Sequence, residues 1–163
     1  MASKKQQTML GEGALAPDFQ LEDLSGERRS LSGMRRPALL AFFKVSCPTC
    51  QYAFPFLERL HRGRERREVE MYAISQDDRE STEEFRREFD ITMPALLDKA
   101  DDGYPASNAY RVSHVPSIFW IEPDGKISLA LTGFEKRGME ELGRRLGAEP
   151  FETGEYVPEW KSG

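Results

Sequence analysis

The sequence predicts an α/β sandwich with a mixed central sheet. Apolar runs of strand length alternate with amphipathic helical stretches from residue 38 to 111, which argues for parallel pairing through crossover helices. A turn signal between two further runs near the C-terminal end adds an antiparallel hairpin and a closing helix. The two cysteines of the chain, Cys47 and Cys50, fall at a junction between an apolar run and a helical pattern.

In chain order, Met1 to Gly13 is polar and expected to be a flexible N-terminus. Phe19-Gln20-Leu21 alternates as a short strand. Leu24 to Glu27 turns into a second, Arg28 to Leu31. The run from Ala38 to Lys44 is apolar on both faces, as a buried strand requires. After Cys47-Pro48-Thr49-Cys50, residues Tyr52, Phe54, Phe56, Leu57 and Leu60 recur at helical spacing up to Arg62. Val69 to Ser75 is the next strand. Ser81-Thr82-Glu83-Glu84 has the form of a capping box with Ser81 as N-cap, opening a helix that carries Phe85 and Phe89. Pro94 to Asp98 is extended and Ala106 to Arg111 a short helix. Ser117 to Ile121 is a strand, Pro123-Asp124-Gly125-Lys126 a hairpin turn, and Ile127 to Leu131 the returning strand. Met139 to Leu146 closes the domain as a helix. The C-terminal tail, 148–163, carries Phe151, Tyr156 and Trp160 without a periodic pattern, so its role stays open: it could dock on the body, cover a site or mediate dimerisation.

The 163 residues fit one domain, taken as 14–147, large enough to bury a core without disulfide staples. With 28 acidic and 23 basic residues the chain is mildly acidic, and its arginines are interleaved with glutamates on solvated helix faces. The one basic cluster, His61 to Arg67, reads as a helix end and loop, so no nucleic-acid partner is expected. No stretch approaches the roughly 18 apolar residues of a membrane span. Met1 to Pro17 lacks the apolar core of a secretory signal, and a cytoplasmic location without membrane association is the resulting expectation.

A C-x-x-C at a strand-to-helix junction marks a redox-active dithiol. Backbone N–H groups and the dipole at the helix N-terminus stabilise a thiolate, which makes the first cysteine a nucleophile. The second, about one turn on, can close a disulfide with it. A structural disulfide is a poor reading, because a loop this short gains little chain entropy. Structural zinc wants four ligands, and only His61 and His114 are available besides the pair, so a non-enzymatic zinc or binding role is remote. No cofactor or metal is expected, and no glycine-rich phosphate loop is present.

Cys47-Pro48-Thr49-Cys50, followed by Val115-Pro116-Ser117, resembles the thioredoxin superfamily. Ala16-Pro17-Asp18-Phe19 and Ile121-Glu122-Pro123-Asp124-Gly125 narrow the resemblance to two related groups. One is the alkyl hydroperoxide reductase/thiol-specific antioxidant group, the other the thiol–disulfide oxidoreductases of cytochrome-maturation type. It covers residues 14–147 and implies a thioredoxin-like three-layer α/β/α sandwich. It further implies that Pro116 is cis and faces the dithiol, that Val115 pairs with an extended substrate, and that Pro48 and Thr49 border the substrate. Cys47 would attack a disulfide and Cys50 resolve the mixed disulfide. The partners would be a protein or small-molecule disulfide and a reducing partner protein.

The alternative within the enzyme class is a thiol peroxidase with Cys47 peroxidatic and Cys50 resolving. Against it, Lys44 and Leu40 stand where peroxiredoxins carry threonine and proline, and their arginine is missing, although Arg111 is close in sequence. The thioredoxin aspartate and tryptophan are replaced by Ala41 and Ser46, and the glutamate of the cytochrome-maturation relatives by Ala53. A carboxylate base would have to come from Glu58 or a distant acid. Lys44 and His114 read as solvent-facing residues that could approach the dithiol. Phe42, Phe43, Phe54 and Phe56 read as core, as does at least one of Phe119 and Trp120.

Overall fold

The computed structural model describes residues 8–163. Its sheet contains β1 (Gln20–Asp23), β2 (Arg28–Ser30), β3 (Ala38–Phe43), β4 (Glu70–Ser75), β5 (Ala95–Leu97), β6 (Ser117–Ile121) and β7 (Ile127–Thr132). The order is β2-β1-β5-β4-β3-β6-β7, with β3, β4 and β5 parallel and the remaining pairs antiparallel. The helices are α1 (Pro48–Gly63), α2 (Arg79–Glu88), α3 (Pro105–Ala109) and α4 (Lys136–Leu146). The mixed sheet between helical layers is the predicted sandwich.

The central strand explains the layering. Every residue of β3 is buried, because its neighbours cover both faces. Leu39, Ala41 and Phe43 point into the core shared with α1, α2 and α4. Leu40 and Phe42 point into the opposite core, against Tyr110 and Ala106 of the α3 region. In the first core Phe54 of α1 stacks on Phe43 at 4.5 Å and meets Phe85 of α2 edge-on at 5.6 Å. Phe119 and Trp120 are buried on opposite sides of β6, as core residues.

Two helices start earlier than predicted. Asp78, not Ser81, caps α2: its side chain accepts the Ser81 N–H at 2.8 Å. Ser81 lies one turn inside the helix, and an aspartate three residues upstream does the work assigned to it. Helix α4 begins at Lys136 and includes Gly138, a poor helix former in isolation, where packing leaves no room for a side chain. A β-carbon there would lie 2.6 Å from Cδ1 of Leu131.

The chain is tied down before residue 14. Leu10 N–H bonds the Tyr110 carbonyl at 3.2 Å and Gly13 N–H that of Ile127 at 2.8 Å. The rest of the expected flexible N-terminus, 1–7 with Lys4-Lys5, lies outside the described residues.

Asp98, fully buried after β5, holds α3 in place. It accepts N–H bonds from Ala106 and Ser107 at 2.9 and 2.8 Å and the Ser107 hydroxyl at 2.5 Å. Ser107 Oγ in turn accepts Gln76 Nε2 at 2.9 Å. Asp98→Ala leaves these donors without a partner and is expected to cost about 3 kcal/mol of stability, read as a lower urea midpoint at unchanged m-value.

The tail docks on the body. Two residues of it, β9 (Trp160–Lys161), pair antiparallel with β8 (Phe134–Glu135), forming a separate two-stranded ladder. Upstream, Arg59 of α1 grips Glu155 with both guanidinium nitrogens at 2.7 and 3.0 Å and bonds the Pro150 carbonyl at 3.1 Å. Val157 is buried, and Phe151 packs edge-on against Phe56 at 5.2 Å.

Candidate active site

β3 ends where the sheet's last hydrogen bonds are made, and the chain turns directly into α1, so the cysteines stand at the strand's C-terminal edge. Cys47 is the N-cap of α1, with extended backbone, and its Sγ accepts the Cys50 N–H at 3.1 Å. Pro48, at the first helical position, has no N–H to satisfy there. The helix thus begins at the sulfur itself. Cys47 is half-buried, Cys50 fully buried beneath it, and both are free thiols.

The Val115–Pro116 peptide is cis, as the resemblance implies. It places the Val115 carbonyl 3.4 Å from the Cys47 sulfur, which donates to it. Lys44, Cys47, Pro48, Gln76, His114 and Val115 are among the residues that border an open cleft of about 420 Å³. Lys44 is solvent-exposed. His114 is exposed too, its Nδ1 2.9 Å from the Ser113 hydroxyl. Thr49 is half-buried at the rim, and its hydroxyl donates to the Ser162 carbonyl of the tail at 2.5 Å.

Burial pushes the Cys50 thiol well above the ordinary range, with its hydrogen bond to Cys47 adding to the effect. The Lys44 backbone N–H opposes the rise, while the charges of Cys47 and Asp77 reinforce it. Cys50 therefore holds its proton while Cys47 faces the cleft.

Glu58 does not serve the dithiol. It lies two helical turns beyond Cys50, about 12 Å along the axis, and is consumed by Thr92, Met93, His61 and Arg62. The acid that does approach is Asp77, absent from the sequence reading. Its carboxylate accepts the Val45 N–H at 2.8 Å, bracing the loop that carries Cys47. Gln76 was missed with it. The available signal was position: both follow β4 at the carboxyl end of the parallel strands, where open α/β sheets build their sites. The tail residues near the dithiol were also missed, having no local signature.

Among the described residues no arginine borders the cleft, and Arg111 takes a left-handed backbone turn on the exposed surface. Among the described residues no group of three or more His, Cys, Asp or Glu side chains converges to hold a metal. No helix there is long and apolar enough to cross a membrane.

Residues 13–130 match the AhpC/TSA family. The thiol-disulfide oxidoreductase ResA of Geobacillus kaustophilus is 31% identical over 130 residues, spanning 78% of this chain and 73% of its own. The thioredoxin domain of a thiol-disulfide oxidoreductase from Bacteroides vulgatus superposes with a TM-score of 0.74 at 22% identity, covering 84% of this chain and 99% of that one. A thiol:disulfide interchange protein DsbE from Chlorobium tepidum gives 0.72 at 24%, covering 83% and 95%. The two structures establish the thioredoxin-like fold. The similarity to ResA overturns the cytoplasmic expectation, since ResA proteins point to the extracytoplasmic side. The error was physical: an N-terminal stretch without an apolar core says what that stretch is not, and carries no information about compartment. By the extent of its matching sequence and by its fold, the chain belongs to the AhpC/TSA family, beside the ResA thiol-disulfide oxidoreductases.

Proposed function

We propose that Cys47 and Cys50 are the attacking and resolving thiols of this thiol–disulfide oxidoreductase. The observation that carries the assignment is the geometry at Cys47: a half-exposed sulfur at a helix N-cap, accepting one backbone N–H and lying against the residue before a cis proline. Of the two sulfurs it is the one a substrate disulfide can reach, since Cys50 lies buried beneath it. Cys47 forms a bond to one sulfur of the substrate disulfide and the other sulfur leaves. Cys50, one turn below, then attacks Cys47; the Cys47–Cys50 disulfide forms, and the substrate sulfur departs with the proton that Cys50 gave up. Pro116 shapes the cleft, Val115 offers its main chain to an extended substrate, and Pro48 and Thr49 form the rim. A partner protein that reduces the pair closes the cycle.

The cleft's lining favours exchange over peroxide reduction. Lys44 points to solvent where a peroxidase needs a hydroxyl on the peroxide, and no arginine is at hand to polarise the O–O bond. In the Cys50→Ser variant the Cys47 thiol is expected to disappear faster with a peptide disulfide than with hydrogen peroxide at equal concentration. Faster loss to peroxide would replace this reading with a thiol peroxidase.

A further inference from the structure

The rim of the cleft beside Cys47 is already engaged by the chain's own tail. From Glu159 onward the tail runs along β8 and reaches the dithiol, its Lys161 ammonium 5.0 Å above the Tyr52 ring. It meets the site through main-chain atoms. The Ser162 carbonyl takes the Thr49 hydroxyl. Gly163 borders the cleft and lies so close to the Val115 carbonyl that a β-carbon would collide with it. That carbonyl is the one facing the Cys47 sulfur. The two groups engaged, the Thr49 hydroxyl and the Val115 carbonyl, lie beside the reactive thiol.

Such contacts read a polypeptide backbone, and a small disulfide has no backbone to offer. The hold is also weak. The ladder is two residues long, Trp160 and Lys161 are exposed, and everything past Pro158 is solvent-facing. Segments with few buried contacts open locally at little cost in free energy.

We propose that the chain's own tail regulates access to this cleft, against the extended segment of a disulfide-bearing protein that Val115 would receive. The chain's own residues 159–163 sit there as an internal competitor that such a partner displaces. The proposal rests on the exchange reading above and adds to it a device that controls entry to the site. A partner replaces the Ser162 and Gly163 contacts at Thr49 and Val115, bringing its disulfide over Cys47.

The test compares the full chain with one ending at Pro158, which keeps Val157 and the Arg59–Glu155 grip. In a Cys50→Ser background, Cys47 is alkylated by N-ethylmaleimide and by a maleimide on a bulky polyethylene glycol. With both cysteines present, kcat/KM is measured for a peptide disulfide and for hydroxyethyl disulfide. Removing the segment should raise bulky alkylation and the peptide kcat/KM about tenfold, as for a seat otherwise free a tenth of the time. The gain should fall in KM, with hydroxyethyl disulfide changing less than about twofold. Full-length Lys161→Glu, which loses the Tyr52 contact without shortening the chain, should move the same way by a smaller factor, with thermal melts confirming that both variants fold. Unchanged or slower bulky alkylation and peptide exchange in both variants overturns the proposal. Faster alkylation without any exchange activity in any form would uphold the cover and defeat the exchange reading instead.

Discussion

Cys47→Ser is expected to abolish turnover of a peptide disulfide, a loss on the order of a thousandfold or more, because it removes the nucleophile rather than weakening it. A serine hydroxyl at the α1 N-cap can still accept the Cys50 N–H, so the helix start and the fold should survive. What it cannot do is form a disulfide. Cys50 cannot substitute: it is fully buried, and burial holds its proton. Cys50→Ser should separate the two halves of the reaction. Attack by Cys47 proceeds once, and the mixed disulfide accumulates for want of a resolving thiol, visible as a stoichiometric mass adduct. Turnover by Cys47→Ser within about tenfold of the parent would move the nucleophile elsewhere and undo the assignment.

Glu58→Gln is expected to cost about 2–3 kcal/mol near neutral pH and to flatten the acid limb of the stability profile. Burial would raise this carboxyl, but hydrogen bonds from His61, Thr92 and the Met93 backbone outweigh it and bring it down to about 2 from an ordinary 4.5. A folded-state value below the unfolded one means that the stabilisation is fully present above pH 4.5. It drains away as the pH falls from there toward 2. The carboxylate accepts Thr92 N–H at 2.8 Å, Met93 N–H at 2.8 Å and the Thr92 hydroxyl at 2.8 Å, joining α1 to the turn before β5. A glutamine presents one N–H₂ group to these donors, trading an acceptor for a repulsion. Urea midpoints for both proteins at pH 7 and pH 3 check this. A parent and variant that lose stability in parallel between those values would remove Glu58 from the account.

Local signals carried most of the fold. β3 was legible because a strand buried on both faces must be apolar throughout, and α1 because its aromatic residues recur at helical spacing. The dithiol and the Val115-Pro116 pair were legible because each is compact in sequence and spatially fixed by a strand end. Failures came where a competing or distant partner decided. Ser81-x-x-Glu84 satisfied the rule for a cap, yet Asp78 one turn earlier offers the carboxylate that accepts the Ser81 N–H. The last helix was read from Met139, whereas it starts at Lys136 and carries Gly138 at a point where Leu131 of a neighbouring strand leaves no room for a side chain. Asp77 carries no motif; it matters because β4 ends beside the loop that holds Cys47. The tail gave no periodicity, since two residues pair with β8 across a long stretch of intervening chain, and its closest approach to the site is through main chain.

The Arg59–Glu155 grip has a consequence for how a partner gains entry. By pinning the tail a few residues upstream of its free segment, it makes that segment a tethered ligand with an effective concentration in the millimolar range. A protein partner at micromolar concentration that fits the cleft no better than Ser162 and Gly163 competes against a segment held at far higher local concentration. Selection among disulfides then begins before any sulfur reacts, with binding strength as the admission criterion. Loosening the grip, for example by Arg59→Ala, lengthens the tether and lowers that threshold without touching a residue of the cleft.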